Sequence, residues 1–445
     1  MEKINTIPRA SFLEFLRRSP EIVKNPLPFH HDNFEKNGDT FLLNLRFGNR
    51  IVFSRDAAFL KYALQTNQRN YTKSTVQTKE VAKYIGKGLL TSEGALWKRQ
   101  RKLIQPSFHK KYLGQLVKIM KRTVLDELSK IPIGETIDVE PYFGSLAFQV
   151  VGKSLFSGAV NEKTILQLQK IVEASQRMLV RELRQPYLGW WFKYGGLLDK
   201  HFAMVQEARE LVRGIITARK KEGADRGDLL DLLLESRYED GTPMEEEQMI
   251  DEIMILFTAG HETTSNALTF TCQLLAKNPE YQDRISEEAQ ASKGEDGLAE
   301  IMGLKVTTQV LEEAMRLYPP AYFIDRMNVQ EDSFNGFQLP AKTTLLFSAI
   351  EIHRHRAHWE EPMAFVPERF DGPPNQHSDY YFPFGAGPRR CIGNNFAMME
   401  MLLVISNLMK HRSIRPNANP IKILPLITLR PKEAYVTFEK RTSQI

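Results

Sequence analysis

Phe384-Gly385-Ala386-Gly387-Pro388-Arg389-Arg390-Cys391-Ile392-Gly393 carries more structural information than any other ten residues of this chain. It fits F-x-x-G-x-R-x-C-x-G at every fixed position, and an apolar run with helical spacing follows at once, from Asn394 through Leu408. The physical reading is a tight glycine-rich loop that presents one thiolate to a metal. Gly387 and Gly393 are expected to supply backbone shapes that a side chain would block. N–H groups at the start of the following helix favour an anionic sulfur. Arg389, two residues ahead of Cys391, is placed to pair with an anionic group. A lone cysteine is ordinarily inert core, but five fixed residues at these spacings argue against that here.

Working back along the chain, Glu313-Ala314-Met315-Arg316 forms an E-x-x-R on an amphipathic stretch ended by Pro319-Pro320. Pro367-Glu368-Arg369-Phe370 lies between it and the cysteine loop, preceded by His353-Arg354 and Trp359. An isolated E-x-x-R says little; this order of segments, ahead of this loop, says much. Together they resemble the cytochrome P450 family, the haem-thiolate monooxygenases. The resemblance implies a mainly α fold with small β-sheets, haem b (iron protoporphyrin IX) as cofactor, and Cys391 as the iron ligand. It further implies a propionate contact for Arg389 and a buried structural charge network of Glu313, Arg316 and Arg369.

Upstream, Gly86-Lys87-Gly88-Leu89-Leu90 leads to Gly94, Trp97 and Arg101. Trp97 and Arg101 stand at i,i+4 and share a helix face, and the spacing resembles the family's W-x-x-x-R, whose members hold a haem propionate. An ordinary exposed Trp–Arg face has the same spacing. Arg326, ten residues after Arg316, occupies the place where the family usually puts another propionate-binding arginine.

Ala259-Gly260-His261-Glu262-Thr263-Thr264 lies midway along an apolar-periodic segment from about Glu245 to Lys277, opened by Thr242-Pro243 and closed by Asn278-Pro279. Glycine and threonine are poor interior helix formers, so a local distortion is expected there. By resemblance, Ala259 and Gly260 let the helix pass close to the haem, and Glu262 and Thr263 are the acid–alcohol pair that delivers protons to iron-bound dioxygen. Read from the residue alone, Thr263 equally bonds back to a carbonyl of its own helix. His261 reads as a packing or solvent-facing side chain and not as a ligand.

The 445 residues are long for one domain, but the motifs run from Gly86 to Gly393 without a linker, so residues 1–445 are expected to form a single domain. Hydrophobic residues at 42% suffice for a large core, and two cysteines, Cys272 and Cys391, imply no disulfide framework. Cys272 falls on the long helical segment and reads as buried packing. The first residues show no signal-peptide core and no membrane span, which suggests a soluble cytoplasmic enzyme, monomeric and without a membrane partner. The chain ends soon after Pro425–Pro431, so electrons are expected from separate proteins, a ferredoxin or flavodoxin with its reductase. A formal charge of +6 is compatible with nucleic acid, but no aromatic-basic or zinc pattern accompanies it. Lys98, Arg99, Lys102, Lys110, Lys111 and Arg390 offer a surface for an acidic redox protein, or only a solvated basic face.

Two early strands, 41–47 and 50–53, are expected around a Gly48-Asn49 turn, with Ser54 capping a short helix through Leu64. The middle is helix-periodic and broken at Ile131–Gly134, Gln185-Pro186 and Glu239–Gly241; strands return near Gly336–Phe347 and Ile421–Phe438. Candidate substrate-lining segments are 72–84, 178–194, 253–257, 321–324 and 426–428. Arg181, Arg184, Gln185, Tyr187, Trp190 and Trp191 crowd the second, and Thr72–Lys79 is unusually polar. Flat indoles with nearby donors suit a sugar, or a lid packed on its own helices. Overall similarity to bacterial enzymes that demethylate 6-O-methyl-D-galactose points the same way. Fatty-acid or terpenoid hydroxylation and peroxide-driven chemistry are the alternatives.

Overall fold

A computed structural model of the chain describes residues 6–45, 49–157, 160–185, 188–223, 226–292, 297–373 and 376–441. They group into two compact units that alternate along the chain. One takes Met1–Ser74, Glu312–Cys391 and Lys422–Lys432; the other takes Thr75–Leu311, Ile392–Ile421 and Glu433–Ile445.

The first unit is built on a five-stranded sheet in the order Thr40–Leu45, Asn49–Ser54, Thr344–Ser348, Phe323–Asn328, Tyr71–Thr72. Thr40–Leu45 pairs antiparallel with Asn49–Ser54, as the hairpin pattern predicts, although Gly48 of the expected turn lies outside the described residues. Asn49–Ser54 then runs parallel to Thr344–Ser348, with Val52 opposite Leu345. Side chains alternate across a strand, and the two faces bury different clusters. Phe41, Leu43 and Phe53 pack with Phe29 and Phe34 on one face. Val52, Leu345 and Phe347 pack on the other with Phe59, Leu60, Phe382 and Ala386. The expected Ser54 cap is corrected: Ser54 ends the strand, and Asp56 caps the helix Ala57–Lys61 by accepting from the N–H groups of Ala58 and Phe59 at 2.8 and 3.0 Å. A carboxylate one residue before the first helical position is the better-placed acceptor. The helix itself stops at Lys61, and a π-helical turn covers Tyr62–Thr66.

The second unit is helical. Its longest helix, Glu246–Lys277, closely matches the expected segment and packs beside Glu140–Phe156, where Phe257 stacks on Phe148 at 5.0 Å. Lys110–Ser129 and Asn394–His411 complete the same bundle. Glu162–Arg184 ends at the predicted break, with Gln185 as its C-cap; Pro186 lies outside the described residues. Glu239–Gly241 forms a turn closed by Tyr238 N–H donating to Thr242 O at 2.9 Å. Thr136–Asp138, Tyr435–Lys440 and Arg412–Ile414 form a small sheet. Mainly α with small sheets is therefore the observed class. Among the described residues no helix is long and apolar enough to cross a membrane.

Candidate functional site

The cysteine loop is made by backbone shape. Gly385 and Gly387 hold φ of +71° and +67°, the left-handed region that favours glycine. A side chain on Gly387 would collide with the backbone carbonyl of Leu64, so this position admits only glycine. Gly393, by contrast, has φ −86°, a conformation open to any residue; the expectation of a special shape there is corrected, and Gly385 takes its place. The loop closes on itself through Cys391 N–H to Phe384 O at 2.9 Å and Arg390 N–H to Gly387 O at 3.0 Å. Phe382 and Ala386 anchor it in the sheet-face cluster.

Behind the loop sits a buried ion pair. Arg316 donates Nε and Nη2 to the two oxygens of Glu313 at 2.6 and 2.8 Å, and both side chains are fully buried. Its remaining N–H groups go to the carbonyls of His353, Pro362 and Ala364 at 2.7–3.0 Å. Glu313 also accepts from Val366 N–H at 2.9 Å, and Arg369 Nε lies 3.4 Å from it. Three residues read as one network from the sequence are thus one network in space. His353, unassigned beforehand, connects it to the loop: its Nε2 accepts the N–H of Phe382 at 2.7 Å. Burial pushes the His353 pKa down to about 3, so the ring is neutral and Nε2 is free to accept.

The two cysteines part company. Cys272 is fully buried, and burial raises its pKa and keeps it a thiol. Cys391 is exposed. Among the described residues no group of three or more His, Cys, Asp or Glu is arranged to hold a metal ion. One exposed thiol on this loop fits a metal that comes with ligands of its own, as haem iron would. Arg326, buried at 7% exposure in the strand Phe323–Asn328, and half-buried Arg389 belong to the same unit as Cys391.

In the helical unit, Trp97 and Arg101 are half-buried on Gly94–Ile104, and Arg101 Nε donates to Gln105 Oε1 at 3.0 Å. The Gly86-Lys87-Gly88 segment owes its glycines to two acids of the long helix. Asp251 accepts the N–H of Lys87 at 2.8 Å and Glu252 that of Leu89 at 3.0 Å. A side chain at Gly86 would strike the Asp251 carboxylate, and one at Gly88 would lie 2.6 Å from Glu252. Asp251 also pairs with Arg209 of Leu197–Glu222.

The long helix is an unbroken α-helix through the expected distortion. Its hydroxyls bond back along the helix instead: Thr263 Oγ1 donates to Ala259 O at 2.9 Å, and Thr258, Thr269 and Thr271 do likewise. Glu252 to Ala276 is buried except at Leu256, Thr258, Ala259, Gly260 and Thr263. Leu256, Ala259, Gly260 and Thr263 stand at i, i+3, i+4 and i+7, one accessible stripe along the buried middle of the helix, with Thr258 off it. Gly260 also serves packing, because a Cβ there would approach Val151 Cγ2 to 3.0 Å. His261 is a packing residue as expected, with Nδ1 2.9 Å from Phe257 O and its ring against Phe148. Glu262 is buried, and Gln176 of Glu162–Arg184 donates to its Oε2 at 2.8 Å.

Among the proposed lining residues, Phe257 is committed to Phe148 and Phe156. Trp190 and Trp191 are 62% and 58% exposed, and Tyr187 lies outside the described residues. Of the basic cluster, Lys102 pairs with Glu239, and Arg99 lies 3.4 Å from Asp240 and over the Tyr238 ring.

The model of the family described as Cytochrome P450 matches residues 10–438. The chain is 30% identical to Cytochrome P450 4d2 of Drosophila melanogaster, over 82% of this chain and 79% of the relative. It is 27% identical to cyclooctat-9-en-7-ol 5-monooxygenase of Streptomyces melanosporofaciens, over 92% and 88%. Pentalenene oxygenase of Streptomyces avermitilis is 25% identical over 95% of this chain and 94% of its own.

Proposed function

The chain belongs to the cytochrome P450 family and is a haem b monooxygenase, and from that premise we propose that it hydroxylates a terpenoid-class substrate at a C–H bond. Haem b, when bound, supplies the oxidising chemistry that places one atom of dioxygen in the substrate. P450 enzymes draw electrons from redox partners. The observation that carries the substrate reading is the stripe on the long helix: Leu256, Ala259 and Gly260 offer it only hydrocarbon and backbone, beside the single hydroxyl of Thr263. Such a surface suits an apolar skeleton, and the names of two bacterial relatives support the same class.

In this reading Cys391 holds the iron, and Arg389, Arg326, Trp97 and Arg101 bind the propionates. Glu262 and Thr263 move protons. The Thr263 hydroxyl spends its hydrogen on Ala259 O and keeps acceptor capacity on the accessible stripe. Thr263→Ala is expected to retain haem and to consume electrons at a similar rate while product per electron falls roughly 10²-fold, a typical loss for a proton-transfer group. Peroxide release measured against NAD(P)H consumed checks this; intact coupling would remove Thr263 from the route. A separate ferredoxin or flavodoxin with its reductase is the proposed electron source, with Lys98, Arg99, Lys102, Lys110, Lys111 and Arg390 as its candidate contacts. The family match across residues 10–438 supports one functional domain.

A second reading is oxidative O-demethylation of a methylated sugar such as 6-O-methyl-D-galactose. Burial of Lys73 and Ser74, at 7% and 4% exposure in the polar 72–79 segment, favours it; the exposed indoles do not. Hydroxylation beside the ether oxygen gives a hemiacetal, whose C–O bond then breaks to release formaldehyde and the free alcohol. Optical titration of the ferric protein with terpenoids, fatty acids and methylated sugars separates the readings. A low-to-high-spin shift with terpenoids alone is the expected result. A shift only with the sugar, followed by formaldehyde release, would replace it.

A further inference from the structure

Gln176 is tied to Glu262 across 86 residues of sequence, by Nε2–H donating to Oε2 at 2.8 Å. Both belong to the helical unit, Gln176 midway along Glu162–Arg184 and Glu262 on the long helix. Glu262 is only 7% exposed. A carboxylate withdrawn from water needs donors, and an amide N–H stabilises the ionised form without supplying a compensating charge. Such a partner fixes where the Oε2 of the carboxylate points.

The helix carrying Gln176 has a second polar anchor. Glu182 accepts from Tyr84 Oη at 2.5 Å and from Lys83 Nζ at 3.4 Å, joining it to Ala82–Ile85. Between the two anchors, Met178 and Leu179 are buried with Tyr84, Ile85 and Ile255 of the long helix. Met178 and Tyr84 fall in segments read from the sequence as substrate-lining. The Glu262 carboxylate and the buried cluster around Tyr84 and Ile85 are therefore both held by the 162–184 helix.

We propose that Gln176 is a positioning residue for proton delivery, fixing the Glu262 carboxylate and coupling its orientation to the 162–184 helix. This rests on the reading of Glu262 as the acid of the proton route. Nothing in the sequence marks Gln176: a glutamine on a helix with a long apolar stripe looks like any solvated position.

The test replaces Gln176 by methionine, which keeps the stem and removes the donor, and by lysine, which keeps a donor. The first readout needs no turnover. In resting ferric protein labelled with carboxyl-¹³C glutamate, the infrared band of Glu262 is assigned by its loss in Glu262→Gln. That band is expected to shift in Gln176→Met, where the donor is lost, and in Gln176→Lys to remain that of a hydrogen-bonded carboxylate, displaced only by the added charge. The second readout is product per electron, expected to fall roughly tenfold in Gln176→Met with KM unchanged, in keeping with loss of an outer partner of a reactive group. In a Glu262→Gln background the methionine substitution is expected to add nothing. An unshifted band overturns the proposal, as does unchanged coupling in Gln176→Met when Glu262→Gln itself uncouples, or an equal loss in both backgrounds. If Glu262→Gln leaves coupling intact, the acid assignment fails first, and the infrared band still decides whether Gln176 orients the carboxylate.

Discussion

Cys391→Ala is expected to lose the thiolate-type spectrum of the reduced carbon monoxide complex, and with it all oxygen insertion, while the protein remains folded. The loop that presents the thiol is closed by main-chain bonds, Cys391 N–H to Phe384 O and Arg390 N–H to Gly387 O, which an alanine also makes. Its anchors, Phe382 and Ala386, are buried in the sheet-face cluster and are untouched by the change. The other cysteine offers no substitute, since Cys272 is fully buried and held as a thiol. Difference spectra of the reduced protein with carbon monoxide, with circular dichroism as the folding control, check the result. An unchanged spectrum would end the assignment of Cys391 as iron ligand.

Arg316→Ala is expected to cost about 3–5 kcal/mol of stability, the usual consequence of breaking a buried pair by removing one partner. It strands the fully buried Glu313 carboxylate and the carbonyls of His353, Pro362 and Ala364. Arg316→Lys is expected to be nearly as damaging. Arginine here spends five N–H bonds, two on Glu313 and three on carbonyls, whereas an ammonium has three donors and no planar fork. Because Arg316 holds the His353 carbonyl, and His353 Nε2 receives Phe382 N–H at the root of the cysteine loop, haem content should fall together with stability. Denaturant unfolding and haem-to-protein ratio measure the two effects. A lysine variant with normal unfolding and full haem content would show that the network does not support the loop.

Short-range pattern explains what was legible in the chain. The cysteine loop, the E-x-x-R and the long helix each put their defining residues within one or a few turns, so spacing alone carries their geometry. Glu246–Lys277 was delimited by Thr242-Pro243 and Asn278-Pro279, punctuation that survives any tertiary context. What stayed hidden depends on residues far apart in sequence. His353 supports Phe382, Gln176 holds Glu262, and Asp251 and Glu252 receive the Lys87 and Leu89 amides. Locally, Ser54 was read as the cap, but its place in the strand opposite Thr40 leaves Asp56 to cap the helix. In the cysteine loop, Gly387 stands at a fixed position of the motif and is confined by Leu64, whereas Gly385 stands at a variable position and nothing in the motif marks its positive φ.

The alternation of the two units along the chain has a consequence for synthesis. Val52 pairs with Leu345, so a strand made early waits for about 290 further residues before its neighbour exists. At ordinary elongation rates of roughly 5–20 residues per second, that wait lasts about fifteen seconds to a minute. During it the hairpin Thr40–Ser54 has an open edge of the kind that recruits stray strands. The nascent chain is thus most vulnerable while the helical unit is still being made, and a codon or temperature change that slows the ribosome between residues 75 and 311 lengthens that exposure without altering the finished enzyme.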